Sequence, residues 1–352
     1  MGSAKEMALD MIRTLSKPIA RRAIYFSLAV ICMACGSNRF ASAADQKAGA
    51  TYSVIICGLG GEPEYEKIIQ GWGKDLYTTL KKNTVPEDHL FWLAANKEPG
   101  VYSESRRDQI LKLFDSLAER VTPEDSFQLF LIGHGSFDEY DYRFNIPGPD
   151  IRAAELADLM GRIRAERQLV VNMTSSSGAS LAPLRKKGRI VITATSAGME
   201  RNFSEFPRYF IAALQDPAAD ADKNQEISAL EAYRYATREV ARYYQQATRI
   251  ATEHAMMEDR GEGEGVRDPG AENGEGLMAS AMVLVRLGSA ESPADTPELR
   301  GLRAEKRSVE EQIEALKYKK ASMKAEEYSA ELEKLLLQLS KVQQQLDDLE
   351  KK

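Results

Sequence analysis

The chain has 352 residues, 43% of them hydrophobic and 28% charged, enough for one large domain with an appendage or for two domains around a substantial core. Its first 43 residues hold six basic and two acidic side chains, which leaves 41 basic against 51 acidic and a formal net charge of −10 in the remainder. An acidic surface repels phosphate backbones, so nucleic acid is excluded as the expected partner and a protein or peptide is favoured.

Arg21 and Arg22 precede an apolar run over residues 23–34, and Ala41-Ser42-Ala43 follows. A basic region, a short apolar segment and an A-x-A site predict a secretory signal over 1–43, with the mature chain periplasmic or secreted and free of the membrane. The alternatives are an uncleaved anchor and lipid attachment at Cys35, for which Cys32-Met33-Ala34 is a poor context. The paired arginines lack the flanking residues that twin-arginine export needs. Cleavage leaves Cys57 alone, which excludes an internal disulfide framework and a cysteine zinc site. Cys57 closes the apolar run SVIIC and reads as a small core residue, the alternative being a reactive thiol at a strand end.

After a polar leader over 44–51, residues 52–58 form a near-continuous apolar run, the pattern of a strand covered on both faces. Residues 62–82 show helical spacing, a second strand spans 89–95, and a helix is predicted over 103–120. A third strand, 127–132, enters Gly133-His134-Gly135. The alternating YDYRFNIPG over 140–149 reads as an exposed strand or hairpin, and a helix over 152–163 leads to the fourth strand, 168–173. A short helix near 180–186 precedes a fifth strand over 189–194. Strands alternating with helices at this rhythm predict parallel crossovers and a three-layer α/β sandwich.

Beyond it, helices are predicted over 206–215 and from 227 to about 252, then a glycine- and acid-rich loop over 261–276. The wider stretch 258–276 has no coherent ligand spacing and reads as a mobile loop, with a second metal site as the alternative. Residues 277–287 are expected to be the last strand, at an edge or beside the fifth, and 289–297 a linker. From 298 to 352 the chain turns rich in Glu, Lys, Leu and Gln, with apolar residues at spacings of three and four that slip between Met323 and Tyr328. Two helices joined by a turn near 321–325 explain that slip, as an antiparallel hairpin or, alternatively, a longer coiled coil that self-associates.

Ligands and catalytic groups gather at the carboxyl ends of strands in an open α/β sheet. His134 sits there between two glycines, which permit a tight turn and leave the ring placed for acid–base work. A structural histidine is the plainer alternative. The fourth strand empties into Thr174-Ser175-Ser176-Ser177-Gly178. A strand ending in GHG, followed some 40 residues later by a strand ending in a small-residue turn with Ser-Gly, resembles the caspase-like cysteine peptidases, which include caspases, metacaspases, legumains and gingipains. The resemblance spans roughly 52–287 and implies a mostly parallel caspase-like sheet with His134 and residue 175 as a catalytic pair. Gly135, Ser176 and Ser177 then lie around the reacting centre, and Arg201 and Asn202, which follow TSAGME, form part of a substrate pocket.

Two departures bear on activity. Ser175 stands where the family's nucleophilic cysteine is expected, and Met173 where an acidic residue is often found. A thiol is partly thiolate near neutrality, whereas a serine hydroxyl needs a closely held base oriented by a third group. The expectation is a degenerate, non-peptidase site. A working Ser175/His134 hydrolase, with amides around Gly135 and residues 175–177 as its oxyanion donors, is the alternative.

Residues 220–231, DADKNQEISALE, match the calcium loop of EF-hands. Asp220, Asp222 and Asn224 fill positions one, three and five, Glu226 the seventh, Ser228 the ninth and Glu231 the bidentate twelfth. Oxygen ligands at this spacing suit Ca2+; acids that merely cap the following helix are the other reading. Gln225 replaces the glycine of the sixth position, and a single strained loop implies weak binding, at extracellular calcium levels.

Overall fold

The computed structural model describes residues 49–287 and 296–350. The expected signal segment over 1–43 and most of the leader and linker lie outside the described residues. Five parallel strands form the centre of a seven-stranded sheet: β1 (Thr51–Cys57), β2 (Leu90–Ala94), β4 (Ser126–Gly133), β8 (Arg167–Thr174) and β9 (Arg189–Thr193). With β3 (Ser103–Glu104) at one edge and β11 (Met256–Glu258) at the other, the order is β11-β9-β8-β4-β1-β2-β3. Only β11 runs antiparallel, against β9.

Each central strand is apolar on both sides because helices cover both faces. Ile55, Cys57, Phe130, Ile132, Val171 and Ile192 meet α1 (Pro63–Asn83), α5 (Phe206–Ala213) and α6 (Ala229–Gln246). Their neighbours Val54, Ile56, Leu129, Leu131, Val170 and Val191 meet α2 (Arg107–Arg120), α3 (Ala153–Arg162) and α4 (Leu181–Leu184) on the other face. The period of two along each strand therefore divides the core into two layers. Each fully buried aliphatic or aromatic side chain contributes roughly 1.5–3 kcal/mol of transfer free energy. The result is the three-layer α/β sandwich expected from the alternating pattern.

Several boundaries differ from the sequence reading. The helix predicted from 103 starts at Arg107, because Ser103 and Glu104 pair instead with Leu93 and Ala94. The segment expected as an exposed strand belongs to a small antiparallel sheet of β5 (Gly135–Phe137), β6 (Tyr142–Phe144) and β7 (Ile151–Arg152), with Tyr142, Phe144 and Ile146 buried and Tyr140 exposed. The strand beside β9 is β11, lodged in what reads as loop. Residues 277–287 divide into α7 (Leu277–Ala281) and β12 (Val283–Arg286), which pairs with β10 (Glu226–Ser228) in a separate two-stranded sheet.

The loop after β11 is not bare. Glu258 is fully buried, and its Oε1 accepts amides from Arg260, Gly261, Glu262 and Gly263. Asp259 accepts from Gly276, Met278 and Ala279 at the start of α7. Buried carboxylates thus replace the apolar anchors that a periodicity search looks for.

The C-terminal helices α8 (Pro297–Lys319) and α9 (Ala325–Glu350) turn at 320–324 and lie antiparallel through Val309, Leu316 and Leu335. The hairpin meets the α/β domain by polar contacts: Arg307 Nη2 lies 3.0 Å from Glu226 Oε1, and the Tyr318 hydroxyl donates to the Glu275 carbonyl at 2.9 Å. Among the described residues no helix is long and apolar enough to cross a membrane.

Candidate functional site

The parallel register of β4 and β8 aligns Gly133 with Thr174, so both strands release their chains at the same level of the sheet. His134 and Ser175 come together there, 41 residues apart in sequence, with His134 Nδ1 3.2 Å from Ser175 Oγ. Ser175 Oγ also donates to the Gly135 carbonyl at 3.0 Å and accepts from the Gly135 amide at 3.2 Å. Three partners surround one hydroxyl. Ser175 itself is 1% exposed.

Gly135 is required for this closeness. A Cβ there would lie 2.4 Å from the Ser175 carbonyl oxygen and 2.5 Å from the Tyr142 ring, so any side chain would force the two turns apart. Ser176 bends the chain with φ +57, and its buried Oγ has no hydrogen-bond partner. Its amide donates to the Glu200 carbonyl at 2.8 Å. Ser177 Oγ accepts from the Thr195 amide at 3.1 Å and meets Thr195 Oγ1 at 3.2 Å.

Beneath the serine turn lies a buried polar network. Tyr142 donates to Asn172 Oδ1 and meets Thr174 Oγ1 at 2.7 Å, and Thr174 in turn donates to Asn172 Oδ1 at 2.8 Å. Asn172 Nδ2 donates to Ser180 Oγ, which donates to the Ser177 carbonyl at 2.7 Å. Fully satisfied buried networks fix one conformation. The shape of the turn is therefore held from below, by residues that carry no reactive signature in sequence.

The His134 ring is half-buried, with Tyr65 and Phe203 edge-on to it at ring-centre distances of 6.1 and 5.8 Å. Burial holds the imidazole below its ordinary pKa, against an opposing pull from the Gly60 backbone. The ring is accordingly neutral at pH 7 and competent as a base. Among the described residues no carboxylate hydrogen-bonds it; a backbone hydrogen bond with Gly60 holds the ring instead.

Arg201 and Asn202 are exposed; Arg201 Nη2 donates to the Phe137 carbonyl at 3.3 Å and thereby reaches β5, next to His134. Behind them stands a pair the sequence reading missed. The Glu200 carboxylate accepts from the Ser196 and His254 amides, at 2.8 and 3.1 Å, and meets His254 Nδ1 at 2.6 Å. Glu200 thus ties the loop after β9 to the segment entering β11, and its carbonyl ties both to Ser176. Glu200 closes the TSAGME stretch, but nothing in the sequence joins it to His254, so only the fold reveals the link.

Cys57 is fully buried, accepts from Trp92 Nε1 at 3.3 Å and meets the Ile69 carbonyl at 3.8 Å. Burial pushes its thiol up to about 12, which makes it a core residue and not a nucleophile.

A second cluster forms away from this site. Carboxylate oxygens of Asp220, Asp222 and Glu231 lie within 4.8 Å of one another. Gln225 adopts φ +68 at the position where a glycine was expected. Asn224 Oδ1 accepts from the Glu226 amide, the Glu226 carboxylate is taken by Arg286 and Arg307, and Ser228 caps α6 in a reciprocal pair with Glu231. Partial desolvation and the Glu231 and Asp220 charges push Asp222 up to about 6. Three carboxylates this close together fit a hard cation held by oxygen. The short strand of the loop pairs with β12 rather than with a second loop of its kind.

No protein-family model matches the sequence, and no curated protein does. Among solved structures the chain is similar to caspase-1 from Spodoptera frugiperda, with 10% identity over 60% of this chain and 89% of that one, at a TM-score of 0.40.

Proposed function

We propose that the chain is an exported caspase/legumain-like domain protein that has lost peptidase catalysis and acts by binding a protein or peptide outside the cytoplasm. The observation that carries this reading is the Ser175 hydroxyl. It is buried, and its oxygen lies 3.0 Å from the Gly135 carbonyl, an acceptor that competes with His134 Nδ1 for the hydroxyl proton. Its lone pairs take up the Gly135 amide, the same donor a tetrahedral oxyanion would need. A side chain used this way joins two turns and is not poised to attack a carbonyl. Fluorophosphonate labelling and a broad peptide panel test the reading. Neither label nor turnover is expected, and labelling lost in both Ser175→Ala and His134→Ala would overturn it.

The 3.2 Å contact between His134 Nδ1 and Ser175 Oγ supports the competing reading, a Ser175/His134 hydrolase. For that chemistry the serine turn has to open and rotate its hydroxyl proton toward the ring. The Asp220, Asp222 and Glu231 cluster supports a third element, a calcium site in the 220–231 loop that stabilises the junction of α6 with the preceding chain. Calcium is expected to raise the melting temperature of the wild type and not of Glu231→Gln. Assembly through the hairpin, where Leu336 and Leu337 are 49% and 65% exposed, predicts a solution mass above that of the monomer.

A further inference from the structure

His134 and Ser175 occupy the carboxyl ends of β4 and β8; the amino ends of β8 and β9 lie at the far end of the same sheet. There the turns before these two strands and the turn after β11 enclose a cleft of about 820 Å³. Its charged lining is Arg164, Lys186, Lys187 and Arg260 against Glu166 and Asp259. Cations are in excess, although the chain as a whole carries a net charge of −6.

These cations are not used up on acids. Arg164 donates to the Val121 and Glu119 carbonyls, both at 3.1 Å, which leaves its charge uncancelled. The Lys186 and Lys187 ammonium groups make no hydrogen bond or ion pair among the described residues. Arg260 has one exposed partner, Glu262, at 3.4 Å, a pairing of the kind worth little in water. Asp259 offsets them weakly, since its oxygens already accept three amides at the start of α7.

Under the floor lies a further positive charge. Arg189 is 2% exposed, donates through Nε to Gln168 Oε1 at 2.9 Å and through Nη1 to the Leu184 carbonyl at 2.7 Å, and leaves Nη2 buried without a partner. Gln168 itself lines the cleft. A buried guanidinium with no carboxylate beside it is costly, and a negative charge in the cleft above would offset that cost. Capping the ends of α2 and α4 accounts for Arg164 and Arg189 as hydrogen-bond donors. It does not account for two adjacent lysines facing an open space with nothing to pair.

We propose that this cleft binds a small, multiply charged oxyanion of the phosphate or sulfate class, held by Lys186, Lys187 and Arg260 with Arg164 on the opposite wall. Its size is that of a small-molecule site, with room for a short organic substituent beside the anionic group.

The test is calorimetric titration of the full chain with pyrophosphate in chloride buffer, repeated with Lys186→Gln/Lys187→Gln. Both lysines are exposed, so the double variant is expected to fold, as its melting curve verifies. Saturable binding that weakens with chloride and drops about tenfold or more in the double variant is expected, a difference on the order of 1.4 kcal/mol. Binding to vesicles of phosphatidylcholine with phosphatidic acid, displaced by pyrophosphate, would identify the source of the group as a lipid headgroup. Vesicle binding that pyrophosphate leaves unchanged, no heat at millimolar pyrophosphate, or equal affinity in the double variant would each overturn the proposal.

Discussion

Replacing Ser175 by alanine separates a joining residue from a nucleophile by stability alone. The substitution deletes one hydrogen bond donated to the Gly135 carbonyl, one accepted from the Gly135 amide and the His134 contact, all around a side chain that is 1% exposed. A net contribution of about 1 kcal/mol per bond, raised where a buried group is left unmet, gives an expected loss of about 2–3 kcal/mol. The lost hydroxyl leaves a void too small to hold water, so no solvent molecule restores the bonds. For a domain of this size the urea slope is about 3 kcal/mol per molar, so the midpoint should fall by roughly 0.7–1 M at unchanged slope. A nucleophile kept for chemistry behaves in the opposite sense, because active sites are held at some expense of stability and removing their reactive groups is often neutral or stabilising. A Ser175→Ala midpoint equal to or above that of the wild type would therefore refute the assignment of Ser175 as a structural tie.

Three other outcomes follow from the same geometry. Calcium binding to the 220–231 loop should weaken as pH falls below about 6, up to about tenfold per pH unit, because Asp222 is raised to about 6 and must lose its proton to serve as a ligand; titration at pH 5 and pH 7 measures this, and equal affinities would exclude Asp222 as a ligand. Burial, aided by the Asp259 side-chain hydrogen bond and the neighbouring Asp259 and Glu258 charges and opposed by the Asp259 amide, raises Glu275 to about 7. A carboxyl whose pKa is higher in the folded state contributes stability that is complete below its ordinary value and is lost as pH rises through 7, so stability should decline between pH 5 and 8, and Glu275→Gln should flatten that decline. Cys57 should resist a thiol reagent in the native state and react in denaturant, and native labelling would contradict its place in the core.

The central sheet was legible because its strands are covered on both faces, so that runs such as SVIIC and LVVNM announce themselves without any partner information. The pairing of His134 with Ser175 was legible for a related reason: both follow strands of the same sheet, and parallel register brings their ends level. What escaped was held by polar atoms. Strand β11 has three residues, MME, and owes its place to Glu258 and Asp259 turning inward to gather seven amides, a pattern that in sequence is indistinguishable from a solvated acidic loop. Tyr142 was misplaced to the surface because YDYRF alternates, and alternation gives one buried face without saying which core receives it. The Glu200–His254 link joins residues 54 apart on two loops, where neither periodicity nor spacing constrains contact.

The serine at position 175 has a geometric consequence beyond reactivity. The protein's own thiol shows what sulfur would require: Cys57 Sγ stands 3.8 Å from the Ile69 carbonyl and 3.3 Å from the Trp92 donor, whereas Ser175 Oγ stands 3.0 Å from the Gly135 carbonyl and 3.2 Å from its amide. A thiol at position 175 cannot draw the two turns together to the same degree, since sulfur is larger and a weaker hydrogen-bond partner than oxygen. Oxygen therefore shortens the bridge between the β4 and β8 exits, and the absence of any side chain at Gly135 permits it. A serine at position 175 is the weaker nucleophile, and its oxygen holds the β4 and β8 exits close together. On this view Ser175→Cys alone should not create a peptidase: the sulfur would arrive in a cleft closed to the dimensions of oxygen, and its first effect should be to loosen the turn.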